Sequence, residues 1–151
     1  MAQAPTDLRR YEARARTTDI FGRVLCSARE QHYVVDGPVQ NGCPGEAVTP
    51  AELFLSAVAA CSVELVQVIA RELGAPLTSA HATIEGVVNR AAPVRTDLTL
   101  FNAVRLTIEL RGVSAEQGAD LVERFKRRCP LFGTVAAATP DVQVEVRTTA
   151  A

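Results

Sequence analysis

The sequence predicts an α+β fold, with strands and helices grouped along the chain rather than strictly alternating. Three observations carry that prediction. Short stretches of period-two polarity recur at both ends and in the middle, as strands with one wet face require. One long apolar helix, opening at Thr49-Pro50 and closing at Gly74, parts the first group of strands from the rest. A second, amphipathic helix follows near Ser114. The resulting order, βββ–α–ββ–α–β, keeps its strands in groups between two main helices. With 151 residues, 48% of them apolar, the chain has enough material for a single domain over 1–151 with a real core.

Tyr11 to Thr17 alternates, with Tyr11, Ala13 and Ala15 on one side and Glu12, Arg14 and Arg16 on the other. Phe21 to Cys26 and His32 to Asp36 predict two further strands, joined by a turn at Arg29-Glu30-Gln31. Gly37 to Val48 is rich in glycine and proline and reads as a loop. The long helix then starts sharply. Thr49 as N-cap, Pro50 at the first helical position and Glu52 at the third form a Thr-x-x-Glu capping box. Gly74 and Pro76 stop the helix after roughly 35 Å. Residues 78–90 and 98–111 read as strands, the second supported by Leu98, Leu100, Val104, Leu106, Ile108 and Leu110, with a bulge or bend at Asn102-Ala103. Ser114 opens a helix through Arg128. A short helical piece after Pro130 runs to Ala137, and Asp141 to Arg147 is a last strand with its valines inward.

The bulk numbers exclude several function classes. Sixteen basic and seventeen acidic side chains nearly cancel, and the only basic knot is Lys126-Arg127-Arg128. Nucleic-acid binding needs a concentrated positive footprint, so none is expected. The polar start MAQAPTDLRR lacks the apolar region of an export signal. Leu53 to Ala70 is interrupted by Ser56, Ser62, Glu64 and Gln67 and reads as a buried helix rather than a membrane span. A cytoplasmic location follows as the default. The helix carries apolar residues on more than one face, and the rest of the chain offers little to cover the second one. A homodimer with this helix at its centre is the economical cover.

Four cysteines, Cys26, Cys43, Cys61 and Cys129, are poorly explained as structural disulfides in a reducing compartment. They form no CxxC pair, and with only His32 and His81 beside them no metal site or other cofactor is expected. Cys61 lies on the stripe of Ala57, Val58 and Leu65, where a packed, inert thiol and a chemical one both fit. In LVERFKRRCPLFGTV, Val122, Phe125 and Cys129 share an apolar face, while Glu123 and Arg127 pair on the wet one. Cys129-Pro130 could cap the following helical piece. Free N–H groups there would lower the thiol's pKa, and the negative end of the preceding helix would raise it. Cys26 reads as core, Cys43 as a packed loop anchor, and both histidines as surface residues. Two thiols meeting across a core would support one coherent chemistry. The first is oxidised by a peroxide to a sulfenic acid, and the second condenses with it to a disulfide.

Together, GPVQNGCPG, TPAELFLSAVAAC and RFKRRCPLFGTV resemble the OsmC/Ohr family of hydroperoxide-detoxifying thiol proteins. The resemblance implies an intertwined homodimer whose long central helices are enclosed by two sheets, with a K-homology-like C-terminal half. That half has no GXXG loop, so it implies no RNA binding. The activity implied is a thiol-dependent peroxidase acting on small apolar organic hydroperoxides and recycled by an external dithiol. Cys61 would attack the peroxide and Cys129 would resolve the sulfenic acid. The family's essential arginine falls on Arg23 first, with Arg16 as the alternative. Its acidic partner falls nearest Glu52, one position later than in the family pattern. There the capping box accounts for the residue directly, and Glu64 is the alternative. The competing expectation is a non-enzymatic stress-associated or small-ligand-binding protein with inert core cysteines.

Overall fold

The computed structural model describes residues 8–150; the first seven residues, on which the expectation about an export signal partly rests, lie outside them. The chain forms two compact units, one through Leu53 and one from Phe54 onward.

The first unit holds an antiparallel meander of β1 (Arg14–Thr17), β2 (Arg23–Ala28) and β3 (Gln31–Asp36), in that order across the sheet. Two predicted strand starts are corrected. Tyr11 to Ala13 are not in β1: Arg14 pairs with Ser27, so Ala13 falls opposite Ala28, the last residue of β2, and Glu12 and Tyr11 run past it into the turn. Phe21 is not in β2 because a turn occupies its place, with Gly22 at φ 77° and the Arg23 N–H donating to the Ile20 carbonyl at 3.1 Å. The β2–β3 turn lies at Arg29-Glu30, one residue tighter than expected because Gln31 pairs with Ala28, and it registers Arg23 opposite Asp36. The Gly37–Val48 segment contains one 3₁₀ turn, Val39–Asn41, and otherwise remains a loop.

The long helix α1 (Pro50–Leu73) starts where the capping box placed it. The Thr49 N–H and hydroxyl both donate to Glu52 Oε2 at 2.8 Å, and the Glu52 N–H donates to Thr49 Oγ1 at 3.4 Å. At its end Gly74 takes φ 65°, a left-handed conformation that releases the chain from the helix.

In the second unit, β4 (Ser79–Val87), β5 (Ala103–Arg111) and β6 (Asp141–Thr149) form a sheet with β5 at its centre. β4 and β5 are antiparallel; β5 and β6 are parallel. A parallel pair needs a crossover, and α2 (Ala115–Arg128) followed by α3 (Pro130–Ala138) supplies it. The predicted strand over 98–111 begins only at Ala103, leaving Leu98 and Leu100 in the connection. Asn102 explains the late start. Its side chain accepts the Asn89 N–H at 2.6 Å and donates to the Ala92 carbonyl at 2.7 Å, clipping the connection where a bulge was expected. Just before it, Phe101 stacks on Phe54 over Gly86, where a Cβ would lie 2.7 Å from the Phe101 ring.

The core of this unit gathers Val104, Leu106, Ile108 and Leu110 of β5, Val58, Val66 and Ile69 of α1, Leu121, Val122 and Phe125 of α2, and Phe132 and Val135 of α3. By length and composition α1 could cross a bilayer, yet its buried stripe belongs to this core. The opposite side of α1 stays uncovered: Ala57 and Ala60 are exposed, and Val63 and Val68 are only half-buried.

Candidate functional site

Cys61 sits midway along α1, where the helix spends every nearby backbone N–H on its own ladder, and its side chain is half-buried. Cys129 is the hinge residue between two helices and is 3% exposed. It closes α2, its N–H donating to the Phe125 carbonyl at 2.9 Å, and it opens α3 as N-cap. Pro130 at the first position of α3 has no N–H, and the Phe132 N–H reaches back to donate to Cys129 Sγ at 3.3 Å. The expected cap is therefore present, with sulfur in the place of the usual oxygen acceptor.

The two sulfurs meet. Cys129 Sγ lies 2.7 Å from Cys61 Sγ, joined by an S–H hydrogen bond across 68 positions of sequence. Both thiols are free. A disulfide bond is ~2.0 Å long, so closing one here needs little movement of either side chain.

The electrostatics differ from those of an activated thiol. Burial pushes the Cys61 thiol up, and the hydrogen bond and charge of Cys129 and the carboxylate of Glu64 push it further, to about 12. Glu64, one turn after Cys61, thus acts against ionisation. The basic knot is occupied elsewhere. Arg128 pairs with Glu72 at 2.6 Å, and Lys126 pairs with Glu123. The predicted pairing of Glu123 with Arg127 is thereby corrected: the i,i+3 lysine takes the carboxylate, and Arg127 contributes only a longer-range attraction.

The other predicted site residues belong to the first unit. Arg23 is not on a solvated strand face. Its Nε and Nη2 donate to the two carboxylate oxygens of Asp36, both at 2.8 Å, and Nη2 also donates to Glu46 at 2.7 Å. Asp36 is completely buried and further accepts the N–H groups of Glu46 and Ala47 at 3.0 Å. This bidentate pair holds the Asp36 carboxyl well below the usual carboxylate range and the guanidinium firmly charged. Arg16 is exposed on β1. Glu52 is committed to Thr49, whose donated hydrogen bonds lower its pKa.

Cys43 is a packed anchor, as expected: a Cβ at Gly22 or Gly37 would lie 2.3 or 2.4 Å from its sulfur. Cys26 is half-buried in β2 opposite Tyr33. His32 and His81 are exposed. Among the described residues, no group of three His, Cys, Asp or Glu side chains is placed to hold a metal ion.

One participant was not foreseen. Asp36 was readable in principle, since a turn at 29–30 registers it opposite Arg23. The Phe132 N–H is the donor that the expected Cys129 cap calls for.

The family profile described as OsmC-like protein matches residues 43–145, more than half of the chain and inclusive of both paired cysteines. The chain belongs to the OsmC-like family. Solved structures agree on its fold. An OsmC-like protein of Mycoplasma pneumoniae superposes with a TM-score of 0.77 at 16% identity, covering 93% of this chain and 96% of that one. An organic hydroperoxide resistance protein of Legionella pneumophila gives 0.72 at 22% identity, covering 93% and 98%. Another from Elizabethkingia anophelis gives 0.72 at 16% identity, covering 97% and 99%. No curated protein matches the sequence.

Proposed function

We propose that this OsmC-like protein is a thiol-dependent peroxidase that reduces organic hydroperoxides. The observation that carries the reading is the 2.7 Å approach of two free thiols drawn from distant parts of the chain. The Cys61 thiolate attacks the outer peroxide oxygen and the O–O bond breaks, leaving a sulfenic acid on Cys61 and an alkoxide that takes a proton to become the alcohol. The Cys129 thiol then attacks the sulfenic sulfur, releases water and closes the disulfide. An external dithiol returns both cysteines to the reduced state by exchange. The apolar cluster around Cys61 and Cys129 suits a small apolar hydroperoxide.

A thiol held near 12 needs a cation to ionise at neutral pH, a task that the family resemblance, rather than any contact of Arg23, gives to that residue. Glu52 is read as a helix cap rather than a catalytic carboxylate, because Thr49 already occupies it. The chain acts as one domain over 1–151. It pairs as an intertwined homodimer that covers the bare side of α1, including the shallow groove between α1 and β4 formed by Ala59, Ala60, Val63, Ala80 and Ala82. The K-homology-like arrangement of the C-terminal half and a cytoplasmic location complete the reading. The names of the hydroperoxide resistance proteins that share this fold support it.

The upward push on Cys61 favours a second reading: a non-enzymatic stress-associated or small-ligand-binding protein with inert core cysteines. One experiment separates the two. Cumene hydroperoxide is added to the reduced protein with a small dithiol present, and peroxide loss is followed beside Cys61→Ser and Cys129→Ser. The peroxidase reading expects turnover in the wild type, none in Cys61→Ser, and a stalled first turnover in Cys129→Ser. Full turnover in Cys61→Ser, or no turnover in the wild type, rejects it.

A further inference from the structure

Once the Cys61–Cys129 disulfide has formed, an incoming thiol can attack either sulfur, and the two choices are chemically different. We infer that the reducing thiol attacks Cys61, and that the backbone N–H of Phe132 receives Cys129 as the departing thiolate. The inference rests on the disulfide of the proposed cycle.

Access and charge support favour the same direction. Thiol exchange needs the attacking sulfur in line with the bond being broken, so the attacked sulfur must be reachable from outside. Cys129 is 3% exposed and enclosed in the core with Phe125 and Phe132, which lie 5.3 Å apart between ring centroids. Cys61 is half-buried and is the more open of the two. The sulfur whose negative charge is better supported leaves faster. At Cys129 a free helix N–H points at the sulfur from 3.3 Å, at the positive end of a nine-residue helix. The negative end of α2 opposes this. One carbonyl of that end, Phe125's, is however already satisfied by the Cys129 N–H. At Cys61 no backbone donor is free, and Glu64 stands one turn away.

The electron count closes. The thiolate of one arm of the dithiol bonds to Cys61 Sγ as the Cys61–Cys129 bond breaks, and the electron pair goes to Cys129 Sγ facing the Phe132 N–H. The second arm then attacks the reductant's own sulfur in the mixed disulfide. Cys61 leaves and takes up a proton, and the dithiol departs as its disulfide, oxidised by two electrons.

The test begins from protein oxidised with diamide, so it needs no peroxidase activity. The oxidised protein meets 2-mercaptoethanol briefly, is quenched in acid, and the freed thiol is blocked with N-ethylmaleimide before peptide mass spectrometry. The expected product carries mercaptoethanol on Cys61 and maleimide on Cys129, in at least about tenfold excess over the reverse. Phe132→Pro removes the N–H and Phe132→Ala keeps it while losing the same ring. Opening should be about tenfold slower in Phe132→Pro than in Phe132→Ala. Adducts on Cys129, an even mixture, equal rates in the two variants, or no Cys61–Cys129 disulfide after diamide would each overturn the inference. Opening at Cys61 in a protein that consumes no hydroperoxide would reject the peroxidase reading and leave this one standing.

Discussion

Removing the neighbours of Cys61 should make its thiol more acidic. The ordinary thiol value of 9.0 is raised to about 12, first by burial, then by the hydrogen bond and charge of Cys129 and by Glu64. Each pH unit is tenfold in thiolate, so at pH 8 the buried site holds about a thousandth of the thiolate that an ordinary cysteine would. Cys129→Ala removes two of those causes, and Glu64→Gln removes the last. Burial, the largest, remains. The double variant should therefore recover only part of the difference, about one to two pH units, or roughly ten- to hundredfold in thiolate at pH 8. The assay is iodoacetamide alkylation of the Cys61 peptide, read by mass spectrometry from about pH 7 to about pH 11 in the wild type, each single variant and the double. At a given pH the alkylation rate should rise in both single variants, less in Glu64→Gln, and furthest in the double. An unchanged or lower rate at pH 8 in the double variant would refute the coupling, because a sulfur at 2.7 Å must be felt if it is there in solution.

Two further outcomes follow from the packing and the ion pair. Asp36 is held below its ordinary 3.8 chiefly by Arg23, so the stability it contributes is fully present above that value and is lost as pH falls through its lower, folded value. Asp36→Asn should lower the thermal midpoint at neutral pH and flatten its fall in acid, followed by circular dichroism; an unchanged acid profile would contradict the pair. Phe125 is fully buried against Phe132, so Phe125→Ala should cost about 3–5 kcal/mol in urea unfolding, and a loss under about 1 kcal/mol would mean the core is looser than described.

Local chemistry decided much of this protein from the sequence alone. A capping box needs only four adjacent residues, so Thr49, Pro50 and Glu52 located the start of α1. Gly74 located its end because a left-handed residue is a local requirement. Alternating valines marked β6, and Ser114 marked the head of α2 by the same kind of short-range bond. Strand starts were less legible. Whether Tyr11, Phe21 or Leu98 joins a ladder depends on where its partner strand ends or on what a distant asparagine clips, as Asn102 does.

The site itself was half legible. Cys61 and Cys129 were singled out as residues of a familiar motif, and helical periodicity put each on an apolar face without saying whether the two faces meet. Only tertiary packing sets two sulfurs 2.7 Å apart across 68 positions, because that distance depends on how α1, α2 and α3 close around one core. Within the first unit, the burial of Asp36 commits Arg23 to that carboxylate, which the strand register alone does not show. Short-range bonding can be read from neighbours along the chain, whereas burial, ion pairing and thiol acidity depend on neighbours that only the folded chain supplies.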